Sequence, residues 1–388
     1  MKIKKICFVI LSSANYNSIK SVIQETKKNK FFEVQVVVGA SAMLDKFGDV
    51  YKRIKADGIN IDYKLDSQFS SSGLISMAKT TGIGIVALSD CFNQLKPDLV
   101  FTVGDRHETI STAIAASYMN ILVAHTMGGE VTGTIDESVR HSVTKLSHIH
   151  FVANRDSAKR VIKLGENKNK VFNVGCPRND IVKQIITKKN FKKEFDYISK
   201  IGVGDIDSLS INDDYFVTLF HPVTTNLNKN RVTIKNIMKS ITKFNVKNII
   251  IWPNADAGNE EIAKQIRIFR EKGKLQNYKI VKNLPIDYYI PLIKYSKCLI
   301  GNSSSAIRDG SFLGIPAVNI GDRQNNRLRY KNVLQSDETE KSISNKIKKQ
   351  YGKKFKKSFL YGNGTSGKKI LNILKKLKMF STQKKIMY

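Results

Sequence analysis

The chain has 388 residues, 41% hydrophobic and 25% charged, the proportions of a folded globular protein rather than a disordered or fibrous one. Its net charge is +32, and fifteen lysines with no acid fall in 341–388. Arginines and interleaved aromatics are sparse there, so the excess reads as solvated helix faces and argues against a nucleic-acid partner. No apolar run reaches the ~18 residues that a membrane span needs, so none is expected.

The N-terminal "MKIKKICFVILSS" looks like a leader only superficially, because Val34 to Gly39 soon supplies a further strand-like run. It reads instead as the first β-strand. "ICFVIL", "EVQVVVG", "DLVFTVG", "ILVAHT", "IHFVA" and "VFNVG" are short apolar runs, and amphipathic helical stretches such as 17–30, 109–119 and 137–146 separate them. Apolar strands alternating with helices predict a parallel sheet covered on both faces. The polar segment 187–214 reads as a linker. The alternation then resumes with "YFVTLF", "NIIIW", "YKIVK", "CLIG" and "PAVNIG". The expected fold is α/β, with two Rossmann-like, doubly wound domains facing a cleft. They cover 1–186 and 215–365, and a basic helix and tail at 366–388 end the chain. Cys7, Cys91, Cys176 and Cys298 lack metal-ligand spacing and read as reduced core thiols of a cytoplasmic protein.

In open α/β sheets, ligands gather beyond the C-terminal ends of the strands, and the chemically distinctive residues follow strands here. "VFTVGDRHET" places Asp105 and Arg106 after one strand, and "ILVAHTMGGEVTG" places His125 and Glu130 after the next. "TIDESVRH" then opens a helix. Asp136 and Glu137 lie in its first turn, where carboxylates also serve as caps, with Arg140 and His141 one turn on. This set can give and take protons. In the second half, "FHPVTT" places His221 after a strand, and "CLIGNSSSAIRDG" places Ser303 and Ser304 at a helix start that suits a diphosphate. "NIGDRQNNRLR" adds Arg323, Arg327 and Arg329. Walker-type and G-x-G-x-x-G motifs are absent, which argues against ATPase and dehydrogenase activity. No residue cluster calls for a metal or cofactor.

On these residues, and on "GCPRND", "HPVTT", "WPNADAG", "GNSSSAIRDGSFLGIPAVNIGDRQ" and "YGNG", the chain resembles the hydrolysing UDP-N-acetylglucosamine 2-epimerases over nearly its whole length. The resemblance implies the glycosyltransferase-B-like fold. It implies Asp105, Asp136, Glu137, His221 and Glu130 as catalytic groups, and Arg106, Arg140, Ser303, Ser304, Asp309 and Arg323 as substrate-binding groups. The implied partner is a UDP-sugar, either UDP-N-acetylglucosamine or UDP-2,4-diacetamido-2,4,6-trideoxyglucose, and a homo-oligomer is expected. The implied reaction releases UDP and the free 2-epimer through a 2-acetamidoglucal, for nonulosonic (sialic or legionaminic) acid synthesis. The chain departs from the family pattern at four places: Ser13 replaces an arginine, Met127 a glutamate, Asp309 a glutamate and Asn326 a glycine. A catalytically impaired nucleotide-sugar binder and a retaining glycosyltransferase of the same fold are the alternative readings.

Overall fold

A computed structural model describes residues 2–44, 49–67, 73–254, 256–273, 275–282 and 284–387. Ala255, within the "WPNADAG" motif, lies outside them. The chain divides into two compact units. The first comprises Met1–Glu130, Ile135–Ile181 and Leu360–Tyr388, and the second Val131–Thr134 and Val182–Phe359.

The first unit holds strands β1 (Lys5–Ile10), β2 (Glu33–Val38), β3 (Tyr63–Lys64), β4 (Leu99–Val103), β5 (Leu122–Thr126), β6 (Ile149–Val152) and β7 (Val171–Asn173). They form one parallel sheet in the order β3-β2-β1-β4-β5-β6-β7. The strands are continuous apolar runs because helices cover both faces. One face carries a ladder of rings. Phe8 stacks on Phe101 at 4.8 Å, Phe101 on Phe151 at 5.7 Å and Phe151 on Phe172 at 5.8 Å between centroids. β5 runs between the second and third rings. It presents Ala124 opposite Phe101, and that small side chain leaves room for the rings to meet above it. Each buried ring is worth ~1.5–3 kcal/mol by area alone.

The second unit holds β8 (Val203–Gly204), β9 (Tyr215–Leu219), β10 (Lys247–Ile251), β11 (Tyr278–Val281), β12 (Cys298–Gly301), β13 (Ala317–Ile320) and β14 (Val333–Ser336). Their order is β14-β13-β12-β9-β10-β11-β8, parallel except for the β8–β11 edge pair. Both units therefore have the doubly wound α/β architecture. The order reverses between β1 and β4 in one sheet and between β9 and β12 in the other. These switch points are where helices on opposite faces diverge and leave an open crevice.

The boundaries differ from the sequence expectation. Segment 187–214 is not an unstructured connector: helix Lys192–Lys200 buries Phe195 and Ile198 in the second unit, and β8 extends its sheet. Phe195 and Phe191 both pack edge-on to Tyr295, apolar anchors hidden among lysines and acids in the sequence. Likewise, helix Ser366–Leu374 buries Ile370, Leu371 and Leu374 in the first unit's core. Helix Leu74–Leu95 is, among the described residues, the one helix long and apolar enough to cross a membrane by length and composition. Its Leu88, Cys91 and Phe92 pack into the core of the first unit. All four cysteines are buried and none forms a disulfide.

Two residues within these sheets lead to measurable consequences. Gly301 ends β12 at φ +135°, and a Cβ there would lie 2.0 Å from the Leu219 carbonyl oxygen. Gly301→Ala is expected to lower stability by ~3 kcal/mol or more, read from urea unfolding. His125, on β5, is wholly buried, and its Nε2–H donates to the Gly104 carbonyl at 2.8 Å. Burial holds its pKa down to about 3. A neutral folded imidazole and an unfolded one that protonates near pH 6.5 mean that the unfolded chain binds more protons between those values. This residue's contribution to stability is thus intact above pH ~6.5 and falls by about 1.4 kcal/mol per pH unit below it. His125→Gln is expected to flatten the pH dependence of unfolding between pH 6.5 and 4.5.

Candidate active site

In the first unit, the chain leaves β4 through Gly104, whose φ of +78° turns it sharply and brings Asp105 over the strand end. Arg140, from helix Asp136–Leu146, is 1% exposed. A buried guanidinium is tolerated only when paired and hydrogen-bonded. Its Nη2 contacts the Asp105 carboxylate, and its Nη1 donates to the Glu130 carbonyl at 2.8 Å. One buried cation therefore joins the β4 end, the β5 end and this helix. Asp136 and Glu137 occupy the first turn of the same helix and are partly exposed. His141 lies 3.7 Å from Glu137, and burial, with the Arg140 charge nearby, lowers its pKa.

Some sequence-predicted residues have other occupations. Arg106 is turned onto Glu108, with Nε 3.1 Å from Oε2, and His107 Nδ1 lies 3.2 Å from the same oxygen. Glu108 is 2% exposed, so this is an internal ion pair beside Asp105, which the sequence reading missed. Glu130 is also buried, and the partner it gives Arg140 is its backbone carbonyl. Met127 has the left-handed φ of +67° and is 6% exposed, with the Cys176 thiol 3.9 Å from its sulfur. The thioether is thus accommodated as an apolar core group. At the end of β1, Ser13 Oγ accepts from Arg53 Nη1 at 3.4 Å, and Arg53 Nη2 donates to Asn17 at 2.8 Å. A guanidinium from helix Val50–Ala56 thus stands beside the position where the family pattern places an arginine. Lys20 is committed elsewhere, 2.6 Å from Asp57.

In the second unit, the ends of β9 and β12 are tied by a reciprocal pair. The His221 N–H donates to Asn302 Oδ1 at 2.7 Å, and Asn302 Nδ2 donates to the His221 carbonyl at 2.8 Å. The Asn254 N–H donates to His221 Nδ1 at 3.3 Å, which leaves the proton on Nε2 of a neutral ring. Ser303 Oγ accepts from the Ser305 N–H at 3.3 Å and so caps the short helix Ser304–Ile307. Asp309 is fully buried and accepts from Ser305 Oγ at 2.7 Å, while Tyr289 donates to that same hydroxyl at 2.8 Å. Asp309 therefore braces the serine turn. Arg323 Nη1 donates to the Asn302 carbonyl at 3.4 Å, and Gln324 donates to the same oxygen at 2.9 Å. His221, Ser303 and Arg323 are in this way gathered around one asparagine.

The turn Thr132-Gly133-Thr134, between β5 and the helix Asp136–Leu146, joins these residues. Val131–Thr134 group with the second unit: the Gly133 N–H donates to the Arg323 carbonyl at 3.2 Å, and Arg327 Nε donates to the Val131 carbonyl at 3.3 Å. A Cβ on Gly133 would lie 2.1 Å from the Asp322 carbonyl oxygen. Among the described residues, no three His, Cys, Asp or Glu side chains form a group that could hold a metal.

Comparison with known proteins agrees with this geometry. The family model described as UDP-N-acetylglucosamine 2-epimerase matches residues 24–375. The chain is 32% identical to the GDP/UDP-N,N'-diacetylbacillosamine 2-epimerase (hydrolyzing) of Campylobacter jejuni, over 87% of this chain and 85% of that protein. It is 30% identical to the UDP-N,N'-diacetylbacillosamine 2-epimerase (hydrolyzing) of Legionella pneumophila, over 98% and 97%. Among solved structures, the UDP-GlcNAc 2-epimerase of Neisseria meningitidis bound to UDP-GlcNAc superposes with a TM-score of 0.81 at 19% identity, covering 96% of this chain and 100% of that one. With the family model matched across most of the sequence and two relatives at 30% identity or more, the chain belongs to the UDP-N-acetylglucosamine 2-epimerase family.

Proposed function

We propose that the protein is a hydrolysing 2-epimerase that converts a UDP-2-acetamido sugar and water into UDP and the free 2-epimer. The observation that carries this reading is the pairing of Asp105 with buried Arg140, one turn from Asp136 on the same helix. The sugar's C2–H is not acidic on its own. Its removal must accompany departure of the diphosphate from C1. A carboxylate takes the C2 proton as the C1–O bond breaks, giving a 2-acetamidoglucal. A second acid then returns a proton to C2 from the opposite face while water adds at C1. Asp105 and Asp136 are the proton-transfer groups in this scheme, with Glu137 and His221 assisting. Ser303, Ser304 and Arg323 hold the diphosphate, and the Arg53 guanidinium offers the cation that Ser13 lacks. Arg106, Glu130 and Asp309 contribute by fixing neighbours.

The substrate favoured is a UDP-2,4-diacetamido-trideoxyhexose, because the two relatives described above carry N,N'-diacetylbacillosamine in their names. The product fits nonulosonic acid synthesis. A second copy of the chain is proposed to cover helix Leu74–Leu95, whose Ile75, Ile83 and Val86 are 74%, 41% and 66% exposed, with the 85% exposed Tyr118 on the adjoining helix. The helix carries one cation, Lys79, and one anion, Asp90, and so no net charge on a chain of +32, which lets two copies meet there with little repulsion.

Incubation with UDP-N,N'-diacetylbacillosamine or UDP-GlcNAc is expected to release UDP and the free 2-epimer. Intact UDP-linked epimer as main product would exclude hydrolysis, and no turnover would favour a binder. Asp136→Asn is expected to lower kcat by ~10²-fold with little change in melting temperature. Asp105→Asn is expected to lower kcat at least as far and also stability, because it strips the partner from a buried guanidinium. Equal activity in Asp136→Asn would reduce that carboxylate to a helix cap. Val86→Asp is expected to shift the sedimentation coefficient towards that of a monomer.

A further inference from the structure

The helix that bears Asp136 and Arg140 ends in an unusual way. The final carbonyls of an α-helix have no partner within the helix and carry its negative dipole end. For helix Asp136–Leu146, each has one. Val143 accepts from Ser147 Oγ at 2.7 Å and Leu146 from Ser117 Oγ at 3.1 Å. Three further carbonyls, those of Thr144, Lys145 and Ser147, converge on one ammonium, Lys384 Nζ, at 3.4, 2.6 and 2.5 Å. This lysine comes from the C-terminal tail, 237 or more residues away in sequence.

Lys384 is itself anchored. Its Nζ lies 2.6 Å from Glu166 Oε2, and Glu166 also takes Lys145 at 2.7 Å and His150 at 3.1 Å. Burial pushes the Glu166 carboxyl up, but its three donors outweigh that and hold it at about 2, so the counter-charge is present throughout the working pH range. The tail around the lysine is seated by several contacts. Lys378 bridges Lys2, Lys170 lies 3.7 Å above the Phe380 ring, the Thr382 carbonyl meets His148 at 3.0 Å, and the Met387 N–H donates to Gly165 at 3.0 Å. One lysine of the run that reads as solvated charge is thus an internal cap.

We propose that Lys384 is a positioning residue: it clamps the C-terminal end of helix Asp136–Leu146 and so fixes Arg140 and Asp136 for proton transfer. Arg140 lies one turn before the clamped end, and its carbonyl accepts from Thr144 Oγ1 at 3.0 Å. A helix that frays at Thr144 releases that turn, and with it the guanidinium that sets Asp105. Proton transfer depends steeply on such placement, whereas the residues proposed to hold the diphosphate, Arg53, Ser303, Ser304 and Arg323, lie outside this helix. The proposal rests on the epimerase reading for its kinetic consequence but not for its structural one.

Lys384→Met in the full-length protein tests both. Amides 140–147 are expected to exchange hydrogen about tenfold faster. UDP release is expected to show kcat about tenfold lower, with KM and the Kd for UDP within twofold of the parent. Lys384→Arg, which keeps the charge and several donors, is expected to restore at least half of the kcat. Unchanged exchange in Lys384→Met overturns the clamp. Faster exchange with unchanged kcat, or a kcat loss that Lys384→Arg does not relieve, overturns its role in positioning. If the parent protein releases no UDP, the epimerase reading fails while the exchange arm still decides the clamp. Should Lys384→Met not fold, Lys384→Gln removes the charge while keeping a polar head and is read by the same exchange measurement: faster exchange at 140–147 supports the clamp, and parental exchange overturns it.

Discussion

A single buried guanidinium sets the geometry of the first unit's site. Arg140 has almost no access to water, so its charge must be neutralised and its donors filled from within the protein. The groups that do so come from two other elements, the Asp105 carboxylate after β4 and the Glu130 carbonyl after β5. Each is thereby held relative to the helix that bears Asp136. A guanidinium suits this task better than an ammonium, because its planar fork fixes directions as well as distance. The cost of desolvating it is met by that arrangement of partners.

The second unit uses a neutral device for the same end. Asn302 exchanges two hydrogen bonds with the His221 backbone, and its own carbonyl receives Arg323 and Gln324. It sits at the β9–β12 switch point, immediately after a glycine with no room for a Cβ. In both sheets, then, a glycine of left-handed or otherwise restricted backbone precedes the functional turn, and the polar residues follow it. Neutral His125 extends the logic beneath the first site: it pins the Gly104 carbonyl from inside the sheet, where a charged imidazole would be costly.

The large positive charge is not uniform in its physical meaning. Lys52 pairs with Asp49, Lys243 with Glu340 and Lys297 with Asp214, contacts of the modest kind found on protein surfaces. Lys384 differs because its ammonium meets three carbonyls at a helix end and an ionised Glu166 at once. Composition treats all these lysines alike; only their surroundings separate them.

Much was legible from sequence because it is written in local periodicity and in strand-end motifs. Continuous apolar runs alternating with amphipathic helices determined two doubly wound α/β units, and the polar motifs after β4, β5, β9 and β12 stand at the C-terminal ends of those strands. What only the tertiary structure decided concerns partners far apart in the chain. That Arg140 takes Asp105, 35 residues away, and that Arg53 stands beside Ser13, 40 residues away, depends on packing between elements distant in the chain. The segment 187–214 looked like a linker because its few apolar anchors, Phe191, Phe195 and Ile198, are diluted among charges, and their burial is set by helix Ile286–Tyr295 rather than by local pattern. The same holds for the tail. A lysine's sequence neighbours say that it is solvated, and only the fold, by bringing a bare helix end and a buried carboxylate to it, makes it a cap.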